Sequence, residues 1–189
     1  MATPIGRRER KKAQTRKALA DAALELFAER GFDQVGVREV ADAADVSVTT
    51  LFNYFPSKEA LVFDLDEDVE AALVAAVRDR EPGTSLLAAL RAHFTTWVKG
   101  VTDSPTTSDF IRVIESTPTL REYARQMWLR HEVSLAAAIA ADIGAPEDDA
   151  RCAVLARFAL EGADLANRRP DPLPTIDEVF AVLERGWPV

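Results

Sequence analysis

Apolar residues recur at helical spacing along nearly the whole chain, and no segment alternates with the period of two that a half-buried strand needs. Leu19, Ala22, Ala23, Leu26 and Phe27 follow the i, i+3, i+4, i+7, i+8 stripe of an amphipathic helix,. Leu61, Leu65, Val69 and Leu73 form a second stripe. Leu87, Leu90, Phe94 and Trp97 form a third, and Ile176, Val179, Phe180, Leu183 and Trp187 close the chain with another. The pattern restricts the chain to an all-α fold with about nine helices. Aromatics are only 7% of the 189 residues, and alanine is abundant, which favours helix over sheet.

Helix boundaries follow from caps and breakers. Residues 1–11 lack an apolar period and read as a flexible basic arm. Gly31 stops the first helix, and a short helix is expected from Val37 to Ala44. Ser47 can cap another from Val48 to Asn53,. After Pro56, Ser57 can cap a long helix from Lys58 to about Arg80. Further helices are expected at Leu86–Val101, Asp109–Ser116, from Pro118 to Gly144, from Pro146 to about Arg168, and after a Thr175 cap,. The organisation predicted is an arm (1–11), a small three-helix domain (12–60) and a larger helical domain (61–189).

The net charge of −8 is unevenly distributed. Residues 1–63 carry ten Lys/Arg against nine Asp/Glu, and seven of the ten lie between Arg7 and Lys17. The remainder holds a balance of −9. Phosphate is therefore expected at the basic end, away from an acidic body. A single cysteine, Cys152, excludes an intrachain disulfide and fits a reducing cytoplasm,. No apolar run approaches the roughly 20 residues that would cross a bilayer. A cytoplasmic protein with no membrane partner is expected.

Two short helices joined by a tight turn can lay the second in the DNA major groove, about 12 Å wide, while the first braces it. Val37–Ala44, the turn at Asp45 and Val46, and Ser47–Asn53 supply such a pair. By spacing alone this is either a helix-turn-helix or an ordinary three-helix packing motif.

The residues themselves resemble the TetR family of bacterial regulators. The stretch AALELFAERGFDQVGVREVADAADVSVTTLFNYFPSKEAL carries Ala23, Leu26-Phe27, Gly31-Phe32, Val40-Ala41, Val46-Ser47, Thr50-Leu51, Tyr54-Phe55 and Ser57-Lys58-Glu59 with Leu61, all part of the family pattern. The resemblance covers roughly 50 residues. It implies that Thr50, Tyr54 and Lys58 bind phosphate, which positions the reader without reading sequence. Arg38, Val48, Thr49 and Asn53 are the candidates to face base edges, with Ser47 at the helix start. Arg38 suits guanine, and Val48 and the Thr49 methyl suit a thymine methyl. Three residues depart from the pattern. Gly36 stands where a capping threonine is common, Asp45 where the turn glycine is common, and Phe52 where a tyrosine is common. Arg7, Arg8, Arg10, Lys11 and Lys12 either compensate by contacting DNA or form a solvated tail.

The resemblance further implies a homodimer on a pseudo-palindromic double-stranded operator and a small-molecule effector of unknown identity. Dimer candidates are Val154, Ala159, Gly162, Leu165 and Ala166, followed by Ile176, Val179, Phe180 and Leu183. The small residues among them either admit a partner's helix or pack inside the chain. Phe94, Trp97, Phe110, Met127, Trp128, His131, Phe158 and Glu161 are candidates for an effector pocket or for plain core. The rival to a sensing repressor is a non-sensing DNA-binding dimer whose helical body recruits a protein partner. No phosphate loop or nucleophile elbow occurs, and His93, His131 and Cys152 make no zinc site without carboxylate help. Neither catalysis, cofactor nor metal is expected.

Overall fold

The structure, a computed structural model, describes residues 6–102 and 105–186; of residues 101–102 and 105–110 it describes the helical backbone and not the side chains. Phe110 and Trp187, named above, therefore lie outside the residues whose side chains are described. Among the described residues there are nine α-helices and no strand: α1 (Arg7–Arg30), α2 (Val37–Ala43), α3 (Val48–Tyr54), α4 (Asp66–Arg78), α5 (Leu86–Thr102), α6 (Pro105–Ser116), α7 (Pro118–Ile143), α8 (Ala150–Asn167) and α9 (Pro172–Arg185). None is long and apolar enough to cross a membrane.

Several boundaries differ from expectation, each for a local reason. The basic arm is helical from Arg7 onward, because Arg7–Arg30 holds good helix formers with no Gly or Pro, and Glu9 accepts the Gly6 N–H at 3.4 Å,. The long helix expected from Lys58 is broken. Glu59–Leu61 is a 3₁₀ turn, and residues 62–65 are turns before α4 begins. Ala60, Leu61, Val62 and Phe63 are all buried, and four successive residues cannot share one face of an α-helix,. Asp66, Glu67 and Asp68 then open α4 in the acidic first turn that the helix dipole favours,. Helix α9 starts at Pro172 rather than after Thr175, since prolines in a first turn give up only N–H groups that lack helical partners anyway,. Helix α8 starts at Ala150 behind an Asp149 cap, four residues later than Pro146 suggests. Helix α6 starts earlier, at Pro105.

The chain divides into two compact units. The first runs through Leu65 and takes in Asp109–Tyr123, so it is larger than the expected 12–60. Its core joins Leu19, Ala23 and Phe27 of α1 to Phe32, Val40, Leu51, Phe55 and Leu61, all buried. Phe27 and Phe32 meet edge to face at 5.0 Å, and Phe63 stacks on Tyr123 at 5.0 Å. The second unit holds Asp66–Ser108 and Ala124–Val189. Its core is built on Leu73, Val77, Leu90, Phe94, Val98, Leu135 and Ile139 together with the alanine face of α8 and Ile176 and Phe180 of α9. Phe94 and Phe180 approach to 6.0 Å at its centre.

Candidate functional site

The turn between α2 and α3 is built by residues that accept its geometry. Asp45 takes φ +52°, the one positive φ on a non-glycine among the described residues. The left-handed region tolerates Asp better than most side chains but less readily than glycine. Val46 N–H closes the turn on Ala41 C=O at 2.9 Å. Ser47 then caps α3: its Oγ accepts the Thr50 N–H at 3.0 Å and lies 2.8 Å from Thr50 Oγ1,. At α2 the missing threonine cap leaves only the reciprocal half of a capping box. Glu39 accepts the Gly36 N–H at 2.8 Å and pairs with Arg30 at 2.6 Å,. These contacts hold the Glu39 carboxyl below its usual range, the Gly36 N–H contributing most and Arg30 next.

Helix α3 has two faces. Leu51 is fully buried and anchors it, whereas Thr49, Phe52 and Asn53 are exposed at i, i+3, i+4 and form one outward strip,. Val48, Thr50 and Tyr54 flank the strip, each half-buried; Arg38 on α2 and Ser47 are exposed. Phe52, singled out above as a lost hydroxyl, is 47% exposed and supplies the largest outward apolar surface of the helix. Lys58, expected on phosphate, is also engaged inside the unit. Its ammonium donates to the Phe32 carbonyl and lies 4.1 Å above the Phe32 ring and 5.5 Å from that of Phe27,. Burial there lowers its pKa. Arg16 is likewise engaged inside the unit, with Asp64 Oδ1 at 2.5 Å, the Asp64 carbonyl at 2.7 Å and the Phe55 ring at 5.4 Å. Arg7, Arg8, Lys11 and Lys12 are exposed along the start of α1.

The body candidates separate in the same way. Ala159, Ala166, Ile176 and Phe180 are wholly buried within the chain, so they are intrachain core and not a dimer surface. Gly162 faces α9 of the same chain, where an added Cβ would lie 2.4 Å from Val179 Cγ1. The small-residue face of α8 thus admits its own neighbour, and Leu183, half-buried, packs against the same core. Val154 and Leu165 are exposed (51% and 43%), and so is Phe158 at 55%. Phe158 and Glu161 therefore belong to the outer face of α8, not to an internal pocket.

Phe94, Trp97, Trp128 and His131 form a chain of edge-to-face contacts, with ring centroids 6.4, 5.8 and 5.2 Å apart. Met127 is buried on the same helix. An open groove of about 520 Å³ lies elsewhere, between Glu67, Glu70, Ala71 and Val74 of α4 and Ser134, Ala137 and Ala138 of α7. None of the expected pocket residues lines it. The structure also supplies carboxylates that the sequence reading did not bring to a histidine: Asp66 and Glu70 approach His131, which is wholly buried. The i, i+4 acid pair was visible in sequence, but its alignment with a residue 61 positions beyond Glu70 was not.

Comparisons with known proteins agree with this arrangement. A model of the bacterial regulatory proteins of the tetR family matches residues 19–65. The HTH-type transcriptional regulator TcmR of Streptomyces glaucescens is 33% identical over 152 residues, spanning 76% of this chain and 67% of TcmR. LuxR of Vibrio harveyi is 49% identical over 47 residues, 25% of this chain and 23% of LuxR. Among solved structures, NalD, the secondary repressor of the MexAB-OprM multidrug efflux pump in Pseudomonas aeruginosa, superposes with a TM-score of 0.61 at 18% identity over 94% of this chain and 97% of NalD. FadR from Bacillus subtilis in complex with stearoyl-CoA gives 0.60 at 17% identity, over 91% of this chain and 99% of FadR. At such identities the two structures speak for the fold alone.

Proposed function

Because this chain belongs to the TetR family of DNA-binding transcriptional regulators, we propose that it is a homodimeric repressor of a pseudo-palindromic operator, released by a small-molecule effector. The observation that carries the DNA half is the outward strip Thr49, Phe52 and Asn53 over buried Leu51, fixed at its start by Ser47 and the Asp45 turn. Such a strip offers an amide able to pair with adenine and apolar groups for thymine methyls. Thr50, Tyr54 and the exposed basic residues of α1 meet phosphate; Arg38 borders the same face. Lys58 acts first as a brace, tying the turn after α1 to the segment after α3.

The domain division assigned to these roles is DNA binding by the N-terminal unit, and effector binding with dimerisation by residues 61–189. The outer face of α8 supports the dimer. Val154, Phe158 and Leu165 recur at helical spacing and would meet their own symmetry mates in an isologous contact,. A second reading, a non-sensing regulator, is favoured by one observation: Phe94, Trp97, Trp128 and His131 pack on one another through consecutive edge contacts, as core side chains do. The stearoyl-CoA bound by FadR supports a sensing body by analogy of fold only. The long helix expected from Lys58 is interrupted by the turn at residues 62–65, so no single helix runs from the DNA-binding residues into α4.

The test is fluorescence anisotropy with duplexes from the promoter regions neighbouring the gene, against random duplex, at physiological salt. Preference for one site, bound by two chains, is expected. Equal binding to all duplexes refutes sequence-specific regulation.

A further inference from the structure

We propose that Asp66, Glu70 and His131 bind a first-row divalent cation, the zinc class, within the C-terminal unit. The three side chains each offer a ligand atom, and these atoms lie within 4.8 Å of one another. His131 Nε2 is 2.7 Å from Asp66 Oδ1 and 4.0 Å from Glu70 Oε2. The remaining carboxylate oxygens are held from outside. Asp66 Oδ2 accepts from Arg130 Nη2 at 2.6 Å, and Glu70 Oε1 accepts from the Ser134 hydroxyl. Each carboxylate therefore keeps one oxygen on an orienting partner and turns the other to the imidazole, as outer contacts do around metal ligands.

The histidine supplies an independent observation. It is wholly buried, and its Nδ1 has no hydrogen-bond partner among the described residues. Among the described residues the polar engagement of the ring is through Nε2, aimed at the two carboxylates. The proton is the competing occupant of Nε2. Ligation requires Nε2 to be free of its proton.

Imidazole with two carboxylates suits Zn²⁺ best and Mn²⁺ less well, and ranks both above Mg²⁺, which prefers an all-oxygen shell. Glu70 and Ser134 also line the open groove, which gives the ion an entry path and leaves coordination positions for water. Three protein ligands with open positions is the pattern of a site that exchanges its remaining ligands. The proposal does not depend on the DNA reading, so either can fail alone.

The experiment uses the full chain, stripped with a chelator and titrated with Zn²⁺ against a chromophoric competitor, with Co²⁺ as a spectroscopic probe. One ion per chain is expected, with visible Co²⁺ bands that Zn²⁺ abolishes and Mg²⁺ leaves intact. Glu70→Gln and His131→Gln should each weaken binding by at least about tenfold. His131 is fully buried, so its variant serves only if a circular-dichroism melt shows it folded. Glu70 is half-exposed, and Glu70→Gln keeps the test decisive. Absence of a stoichiometric ion, or affinity unchanged in Glu70→Gln, overturns the site.

Discussion

Helices α3 and α8 are constructed on the same plan and point it to different ends. Each buries one face against its own unit and presents the other to solvent. On α3 the buried face is a single leucine, Leu51, and the outward strip mixes Thr49, Phe52 and Asn53. On α8 the buried face is mostly small residues, Cys152, Ala156, Ala159, Gly162, Ala163 and Ala166 with the one leucine Leu160, and the outward Val154, Phe158 and Leu165 are larger and apolar. A small mixed strip suits base edges and thymine methyls, whereas large exposed apolar side chains, bordered on α8 by Arg157 and Glu161, suit another protein surface,. Small residues inside α8 bring its neighbour close, and large ones outside leave surface to be covered. Size and polarity thus sort the two faces better than hydrophobicity alone.

The largest effect expected from breaking this contrast lies on the inner face of α8. Gly162→Leu must displace Val179, whose β-branched side chain has little rotamer freedom,. A loss of about 2–3 kcal/mol is expected, read as a lower urea midpoint. On the outer face, Phe158→Ser should leave the unfolding free energy of the dissociated chain within about 0.5 kcal/mol, since the ring is exposed in the single chain,. It should shift the sedimentation profile toward monomer. A dimer unaffected by Phe158→Ser and Leu165→Ser together would remove α8 from the interface.

Next in size are the outward residues of α3. Asn53→Ala should weaken operator binding by about 1–3 kcal/mol and relax preference at one base position, measured by anisotropy on single-base operator variants. Lys58→Ala provides the counterpart. A pure phosphate ligand would lower affinity for every duplex and reduce the salt slope without touching stability. The Phe32 carbonyl contact and the two ring contacts instead predict a stability loss of about 1–2 kcal/mol alongside weaker binding,.

The same contrast explains what was legible in the sequence. The α2–turn–α3 segment could be placed almost residue by residue, because caps, the αL turn and the Leu51 anchor act over three or four positions. Ser47, Asp45 and Leu51 do what their types and spacing predict. In the second unit periodicity identified the helices but not which stripe faced inward. Ala159, Gly162 and Ala166 are compatible with a neighbour from either the same or a second chain, and only tertiary packing chose α9. Phe158 illustrates the failure most simply: an aromatic at core spacing lies outside because the alanine stripe is what α9 and α5 require. The break at residues 62–65 was missed for a related reason, since four successive apolar residues fit a helical stripe only if some are exposed. Asp66, Glu70 and His131 come together across two helices, a juxtaposition that no local pattern encodes.

A smaller effect is expected at the turn. Asp45→Gly removes the cost of a side chain at positive φ and should raise stability by up to about 1 kcal/mol, while Asp45→Val should lower it by a similar amount,. Operator affinity should change little with the glycine, because Asp45 lies in the turn that precedes the outward strip. If glycine lowers operator affinity as strongly as Asn53→Ala, Asp45 is itself part of the DNA surface.

The smallest difference between the two helices concerns acid. The α3 cap is a hydroxyl, Ser47, and does not titrate. The α8 cap is a carboxylate, Asp149, which accepts the Arg151 N–H at 2.8 Å and pairs with the Arg151 guanidinium at 2.7 Å. The guanidinium hydrogen bonds lower its pKa most, with the backbone N–H assisting, from 3.8 to about 2. A carboxyl depressed in the folded state stabilises it fully above the unfolded pKa, and that contribution is lost as pH falls through the folded one. The Asp149 cap should therefore hold down to about pH 4 and be gone below about pH 2. Glu39 has the same sign, so α2 should weaken with acid as well. In an amide-resolved NMR titration, the Arg151 N–H should shift with a midpoint near 2 and the Gly36 N–H below the normal glutamate range. The Thr50 N–H, held by Ser47 Oγ, should not titrate on its own. An Arg151 amide that titrates near 4 would mean that Asp149 is not engaged as a cap, and that α8, unlike α3, is positioned by packing alone.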